Sequence, residues 1–464
     1  MIEADRVLFF PTRDQARSRW RFGFFLSITF LFCVANSPPA RLVALVQFGS
    51  EAAWATAKST VFLIALLIVL LPMARDLGSY AARNRRELVY SLVLGALIFG
   101  ALCLLIFPVS IDRHGHVEIA RGLARCYADM SSHPFSEDSE YFYRRLLLPA
   151  FAYYLQLRGN PWYEIFALAC AFLMVVAVVH FLRVRTAGEL MPAGHLHRGF
   201  MTALAVATCG FVIVGVQWPG YPEQLGFLFL LLPAFIPMCS ASRLTCVTFA
   251  LLAHDGMVFP LVPIILFCFP KGEKRRALSL IALYLLIFAV SYGFRLSSAL
   301  ALHDTFGPES YFHDLFDYPL VVLFGIFSAF KFYWSVFFIA LFVLIKQRRY
   351  RLFWALSALM FSFVPMLFLA WDVTRLVNFS FLAVLMSVVI VWREAARAGR
   401  LRAGILPLVA AASLAMPSYN VALWWLHHGE PDQNGRTGVL REPGAYQWVS
   451  RCLPFTLPAA KRSD

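Results

Sequence analysis

Long apolar runs separated by short polar breaks make up most of this chain. A helix that crosses a bilayer needs about 20 predominantly apolar residues, and most of the runs approach that length. The pattern predicts about thirteen membrane helices, at Phe22–Ala35, Trp54–Met73, Leu88–Pro108, Trp162–Leu182, Gly199–Gln217, Gln224–Met238, Leu244–Ala253, Met257–Phe269, Ala277–Phe294, Pro319–Ile345, Leu352–Ala370, Leu376–Trp392 and Ala403–Ser418. The polar break at His254–Asp255 is interpreted as the meeting point of two short helices, because one helix over Leu244–Phe269 would reverse the sidedness of every later loop.

Composition supports a membrane protein rather than a soluble one. Hydrophobic residues make up 60% of the chain and charged residues 15%, against roughly 45–50% and about 25% in soluble domains. This excludes a large soluble enzyme domain. The predicted fold is an all-α polytopic transmembrane bundle, with a cytoplasmic basic lead over residues 1–21, a transmembrane domain over 22–418 and an extracytoplasmic tail over 419–464.

The charged residues predict how this bundle is oriented. Of the 41 Lys and Arg residues, 25 fall in breaks on one side and 14 on the other, whereas the acids divide eight to 19 in the opposite sense. Because Lys and Arg concentrate in cytoplasmic loops, the basic side is assigned to the cytoplasm together with the amino terminus. The same rule explains the net charge of +14, so no nucleic-acid partner is indicated.

The longest internal outer segment, Val109–Pro161, is predicted to form a platform against the membrane. Its first part, His116–Tyr127, has one apolar helical face and reads as an interfacial amphipathic helix. Its second part, Tyr141–Leu157, places two arginines before an apolar stretch too short to span a bilayer. Arg144 and Arg145 therefore lie at headgroup depth, where they are candidates for binding phosphate oxygens or for simple snorkelling.

Asp112 stands at the mouth of this platform, just after the third predicted span. An acid that is ionised near water yet faces a shielded groove suits a general base, and a helix cap or an ion pair with Arg113 explains the position equally well. His114 and His116 follow closely, so Asp112 with these two histidines could also hold a divalent cation.

Three further outer corners carry polar residues inside apolar sequence. Glu223 opens a helix after the turn QWPGYPEQ, where the helix dipole alone would favour an acid. His254 and Asp255 form the tip of the short helix pair. Asp372 and Arg375, in WDVTR, are joined to helices with almost no loop, and charges there are costly unless they pair or bind something.

This arrangement resembles the GT-C superfamily of integral-membrane glycosyltransferases. The likeness rests on Asp112 at the start of the first large outer loop, on YFYRRLLLPAFAYYL at Tyr141–Leu155, on the corner YPEQL, and on the D-x-T-R corner at Asp372–Arg375. The resemblance implies juxtamembrane helices in that loop, a catalytic acid, a polyprenyl-phosphate sugar donor and a bacterial inner membrane. Many members carry two adjacent acids in the loop, whereas Arg113 follows Asp112 here, so the second acid would be Glu223 or Asp255.

The leading functional hypothesis is therefore an inverting glycosyltransferase acting at the outer face, on a glycan, lipid or protein acceptor. Asp112 would be the base, Arg144, Arg145 and Arg375 would stabilise the departing phosphate, and Glu223, His254, Asp255 and Asp372 would complete the substrate site. A transporter would place ionisable residues at mid-membrane depth, yet few lie in the predicted spans. A polysaccharide polymerase or ligase stays open because the Arg295–Tyr318 loop holds four acids.

Overall fold

This computed structural model describes residues 51–106, 123–135, 145–159, 161–186, 206, 209–212, 220–293, 319–368, 373–398, 405–416, 420–421 and 440–441. The predicted span Phe22–Ala35, the basic lead, and most of the predicted span Gly199–Gln217 lie outside these ranges.

Helices account for nearly all of the described residues. They are α1 (Glu51–Arg83), α2 (Arg85–Ile106), α3 (Leu123–Ser132), α4 (Leu147–Tyr154), α5 (Trp162–Thr186), α6 (Glu223–Phe235), α7 (Ser240–Ala253), α8 (Val258–Cys268), α9 (Lys271–Gly293), α10 (Pro319–Phe330), α11 (Tyr333–Lys346), α12 (Tyr350–Met360), α13 (Val364–Leu367), α14 (Val373–Val377), α15 (Phe381–Ala398) and α16 (Ile405–Ala415). Short 3-10 turns cover Asp255–Met257, Phe361–Phe363 and Asn378–Ser380. Two-residue strands, β1 (Asn420–Val421) and β2 (Leu440–Arg441), pair antiparallel with Asn420 opposite Arg441.

Several of these helices can cross a membrane. Within the described ranges, five stretches are long and apolar enough: Ala55–Arg83, Arg85–Cys103, Trp162–Thr186, Tyr350–Leu367 and Val373–Ala395. Many of the large apolar side chains on α1 and α2 are exposed, for example Leu71, Leu97 and Ile64, as expected for surfaces that face lipid. The helical character predicted from the apolar runs is confirmed, and five of the described stretches have the length and apolar composition that a membrane span needs.

The predicted single span Pro319–Ile345 is instead two helices, α10 and α11, bent by 77° at a short break. Lys331 lies in this break with a positive φ of 49° and is completely buried. Its ammonium donates hydrogen bonds to the carbonyl oxygens of Ser413 (3.0 Å) and Met416 (2.8 Å). A cation suits the unpaired carbonyls at a helix C-terminus, so Lys331 caps α16 and fixes the bend.

The described residues divide into two compact units. Unit 1 contains the described residues within Met1–Val89, Ala120–Cys170 and Gly220–Phe306. Unit 2 contains the described residues within Tyr90–Ile119, Ala171–Pro219 and Gly307–Asp464. In unit 2, α15 packs on α11 and α12 and is buried along nearly its whole length.

In unit 1, α1 and α7 run antiparallel. Asp76 of α1 contacts the start of α7 at Ser242, and Val69, earlier on α1, accepts from Thr245, later on α7. Ser59, still earlier on α1, contacts Tyr154 of α4, and α4 in turn packs on α7. Ser59 and Asp76 are 17 residues apart, which is about 25 Å along a helix.

This geometry separates the two ends of unit 1. Arg243 pairs with Glu273 of the KGEKRR segment near Asp76, its Nε lying 2.8 Å from the carboxylate. His254 and Asp255 follow the other end of α7. Arg243 with the KGEKRR segment and the acidic corner at His254–Asp255 therefore lie at opposite ends of unit 1.

Candidate functional site

Four of the residues singled out from the sequence meet at the acidic end of unit 1. They are Arg145, Glu223, His254 and Asp255, and we call them the polar cluster. They come from three separate parts of the chain: the start of α4, the start of α6, and the turn between α7 and α8. The fold thus brings together side chains that lie as much as 110 residues apart in sequence.

Arg145 joins two elements with its planar side chain. Its Nε donates to Asp255 Oδ1 at 3.2 Å, and its Nη1 donates to the hydroxyl of Tyr127 on α3 at 2.9 Å. These bonds use two of the five N–H groups of the guanidinium. Its side chain is 18% exposed, so the cluster is open to its surroundings on this side.

His254 lies between two carboxylates. Its Nε2 is 3.1 Å from Glu223 Oε1, and its Nδ1 is 3.0 Å from Asp255 Oδ1. The backbone N–H of Gly256 donates to the same Nδ1 at 2.9 Å. His254 and Glu223 are almost fully buried, while Asp255 is 22% exposed, so Asp255 is the more accessible of the two acids.

The local backbone explains why these side chains converge. His254 adopts an extended conformation (φ −157°, ψ 132°), which ends α7 and turns its ring back onto the N–H of Gly256. Glu223 is the first residue of α6, after a corner in which Gly220 has a φ of 108°. The hydroxyl of Tyr163 donates to the Gly220 carbonyl at 2.8 Å and so anchors this corner to α5.

Charge and burial set the protonation of the cluster. Burial lowers the pKa of His254 and Arg145 acts in the same direction, while Asp255 and Glu223 oppose them only in part. Burial alone would also lower the pKa of Arg145, but Asp255, Tyr127 and Glu223 raise it well above its ordinary value. At neutral pH the cluster therefore contains a neutral imidazole, one cation and two acids. When both acids are ionised, the net charge of the whole cluster is −1.

Tyrosines close the buried side of the cluster. Tyr127 is completely buried and packs edge-on against Tyr221, with ring centroids 6.0 Å apart. The sequence predicts Tyr127 on the apolar face of an amphipathic helix but does not indicate that its hydroxyl binds Arg145. No spacing in the sequence signals this contact, because α3 and Arg145 meet only through tertiary packing.

The structure does not bring the remaining candidates into the polar cluster. Arg375 is on α14 in unit 2. The predicted base Asp112, the phosphate candidate Arg144, the corner acid Asp372 and the possible cation ligands His114 and His116 are outside the described residues. Within the part of the chain that the structure describes, no three His, Cys, Asp or Glu side chains form a group that could hold a metal ion.

Comparisons of the chain with protein-family models, with curated proteins and with solved structures found no match.

Proposed function

We propose that this chain is a GT-C-like membrane glycosyltransferase that moves a sugar from a polyprenyl-phosphate donor to an acceptor at the outer face of the membrane. The observation that carries the proposal is the polar cluster, in which an arginine and two carboxylates meet at one end of a set of membrane helices. About thirteen helices, a cytoplasmic amino terminus and a bacterial inner membrane belong to the same proposal.

The chemistry of the cluster suits both parts of such a donor. Arg145 has three N–H groups beyond those bound to Asp255 and Tyr127, and a guanidinium binds phosphate oxygens through paired N–H groups. Carboxylates accept hydrogen bonds from sugar hydroxyls, and Asp255 is exposed enough to do so. In a site shielded by apolar helices, the arginine would stabilise charge that develops on the departing phosphate.

Residues outside the cluster keep their predicted roles in this proposal. Arg144 precedes Arg145 directly and would add a second phosphate contact, and the substrate-binding roles expected of Asp372 and Arg375 stay predictions. Asp112 is the base that the resemblance implies. A divalent cation at Asp112, His114 and His116 stays a prediction.

The test is transfer of labelled sugar by membranes that contain the chain. Membranes are incubated with polyprenyl phosphates carrying radiolabelled hexose or pentose, and label in the lipid, glycan and protein fractions is counted. Arg145→Gln should lower transfer by about 10–100-fold, the loss expected for a hydrogen bond to a charged group, chiefly through a higher donor KM. Arg145→Lys keeps the charge but loses the planar fork, so its transfer rate should lie between those of the wild type and Arg145→Gln.

Arg158→Gln is the matched control. Arg158 also belongs to the platform, but its guanidinium lies over the ring of Tyr153, 3.9 Å from the centroid, and its Nε donates to the Tyr153 carbonyl. It should leave transfer unchanged. If the wild-type chain transfers no label from any donor, or if Arg145→Gln and Arg158→Gln change the transfer rate equally, the proposal is wrong.

A transporter is the second candidate, because the bend between α10 and α11 encloses a buried lysine. Broken helices and buried charges are typical of transport sites. Lys331, however, already binds two carbonyl oxygens of the α16 end, so its charge has a structural explanation. Movement of a fluorescent lipid-linked sugar across proteoliposomes without any acceptor would favour transport over transfer.

A further inference from the structure

The hydrogen bonds around His254 define where its proton lies. A backbone N–H can only donate, so the N–H of Gly256 requires a lone pair on His254 Nδ1, 2.9 Å away. A neutral imidazole carries one N–H, which must then be on Nε2 and point at Glu223 Oε1, 3.1 Å away. Glu223 thus holds the ring in one tautomer.

This tautomer leaves room for one more proton. His254 Nδ1 and Asp255 Oδ1 are 3.0 Å apart. When Asp255 is ionised and the ring is in this neutral tautomer, both atoms present lone pairs and no hydrogen lies between them. A proton placed between them would turn this contact into a hydrogen bond and would bring the charge of the cluster from −1 to zero.

The backbone is arranged to accommodate that proton. Gly256 N lies within hydrogen-bonding distance of two acceptors, Nδ1 of His254 at 2.9 Å and Oδ1 of Asp255 at 3.2 Å. When Nδ1 becomes protonated, the N–H of Gly256 keeps Asp255 Oδ1 as its acceptor. Protonation therefore costs the buried backbone group no hydrogen bond, which would otherwise be a substantial penalty.

We propose that the Asp255–His254 pair accepts the proton that the acceptor hydroxyl loses during transfer, which moves the base from the loop acid Asp112 to Asp255. This inference rests on the proposed glycosyltransferase function. In the step, the acceptor oxygen bonds to the anomeric carbon while the bond from that carbon to the phosphate oxygen breaks. Polyprenyl phosphate leaves with the electron pair, and the proton passes to Asp255 and is shared with His254 Nδ1.

The described elements packed around the pair carry charged or titratable groups, including Tyr163 of α5, which interacts electrostatically with Glu223. Arg145 precedes α4 and balances the charge of Asp255, Glu223 of α6 fixes the ring of His254, and Tyr127 of α3 binds Arg145. Asp255 is the catalytic residue, since it is the exposed member, whereas His254 and Glu223 are positioning residues.

The kinetic test compares the two candidate bases. Asp255→Asn should lower kcat by about 10²–10⁴-fold, the usual contribution of a general base, with little change in donor KM, and Asp255→Glu should restore part of the rate. Asp112→Asn is measured beside it, and a smaller loss of kcat than in Asp255→Asn supports the assignment of the base to Asp255. A wild-type rate in Asp255→Asn, together with a large loss in Asp112→Asn, would overturn the proposal.

The pH profile of His254→Gln tests whether His254 shares the proton, because a purely structural role of the ring would leave that profile in place. Without the ring, the proton is held by a carboxyl alone, whose ordinary pKa is well below that of imidazole. The acidic limb of the kcat–pH profile should therefore move to lower pH. A variant that loses rate without any movement of this limb would show that His254 is not part of the proton acceptor.

Proton sharing can also be measured without transfer activity. Protein labelled with ¹⁵N-histidine is placed in lipid nanodiscs, and the His254 signal is assigned as the one missing from His254→Gln. Asp255→Asn should lower the pH at which this signal titrates, because it removes the carboxylate that faces Nδ1. If the titration is unchanged, the proton-sharing inference is wrong; if it shifts while no donor supports transfer, proton sharing stands and the glycosyltransferase proposal fails together with the transfer step built on it.

Discussion

Asp76 of α1 accepts a hydrogen bond from the hydroxyl of Ser242 on α7, with the two oxygens 2.7 Å apart. The same Asp76 oxygen accepts the backbone N–H of Cys239, 2.8 Å away, at the first position before α7. A carboxylate at a helix N-terminus satisfies donors that the helix cannot pair itself and favours its dipole. An acid from one helix therefore caps another and ties the basic end of unit 1 together.

Loss of this cap should destabilise the fold without damaging the site. Asp76→Ala should cost about 1–2 kcal/mol, the upper range for removal of a helix cap, whereas Asp76→Asn keeps an acceptor and should cost less. Thermal unfolding in detergent measures the difference. Since the polar cluster lies at the opposite end of α7, transfer per folded molecule should be unchanged, and a loss of specific activity in Asp76→Asn would contradict this separation.

The behaviour of His254 predicts how stability depends on pH. Its pKa is lowered in the folded protein, first by burial and then by Arg145, whereas in the unfolded chain a histidine titrates near pH 6.5. Below that pH the unfolded chain binds more protons, so stability falls as the pH drops. The midpoint of thermal unfolding should decrease between pH 7.5 and pH 5.5, and less so in His254→Gln.

Comparison of His254→Gln with the wild type decides whether His254 causes this pH effect. A His254→Gln protein that loses stability on acidification as steeply as the wild type would show that other groups cause the effect.

The residues that sequence analysis anticipated share one property: each interrupts an apolar run. His254 and Asp255 had to form a break, because a continuous helix would have reversed the side of the KGEKRR loop, and the structure confirms two short helices there. Glu223 follows a proline-rich corner, and Arg145 precedes a short apolar helix. Their meeting depends on tertiary packing, which periodicity does not encode.

The features that were missed leave no such mark. A single lysine in a long apolar run gives no sign that Lys331 would end α10 and cap α16. The Asp76 cap joins α1 to α7 across 166 residues, and Tyr127 resembles any other residue of an apolar face. Contacts between side chains far apart in sequence decide these features, and the pattern of apolar and polar residues does not record such contacts.

Close packing within unit 2 gives a matched pair of glycine substitutions on α2. A Cβ added at Gly95 would lie 2.7 Å from Val176 Cγ2 and 3.0 Å from Val176 Cα on α5, whereas one added at Gly100 would meet nothing within 4 Å. Because Val176 Cα is backbone and cannot rotate away, Gly95→Ala should destabilise by about 1–3 kcal/mol.

Gly100→Ala should be neutral or stabilising by up to about 1 kcal/mol, since alanine favours a helix more than glycine does. Unfolding of both variants in the same detergent provides the comparison. Equal stability of the two proteins would show that α2 and α5 do not approach each other this closely.

The orientation of unit 1 across the membrane can be tested with two exposed residues. Asp129 on α3 and Lys271 at the start of α9 are both exposed, and the basic partition places the first outside the cell and the second in the cytoplasm. Asp129→Cys and Lys271→Cys are made separately after Cys126 and Cys452 are replaced by serine, and the parent without an added cysteine gives the background. An impermeant thiol reagent should label Asp129→Cys in intact cells and Lys271→Cys only after the membrane is opened. Equal labelling of the two positions in intact cells, or the reverse order, would refute the orientation and would place the polar cluster on the cytoplasmic side, away from any donor at the outer face.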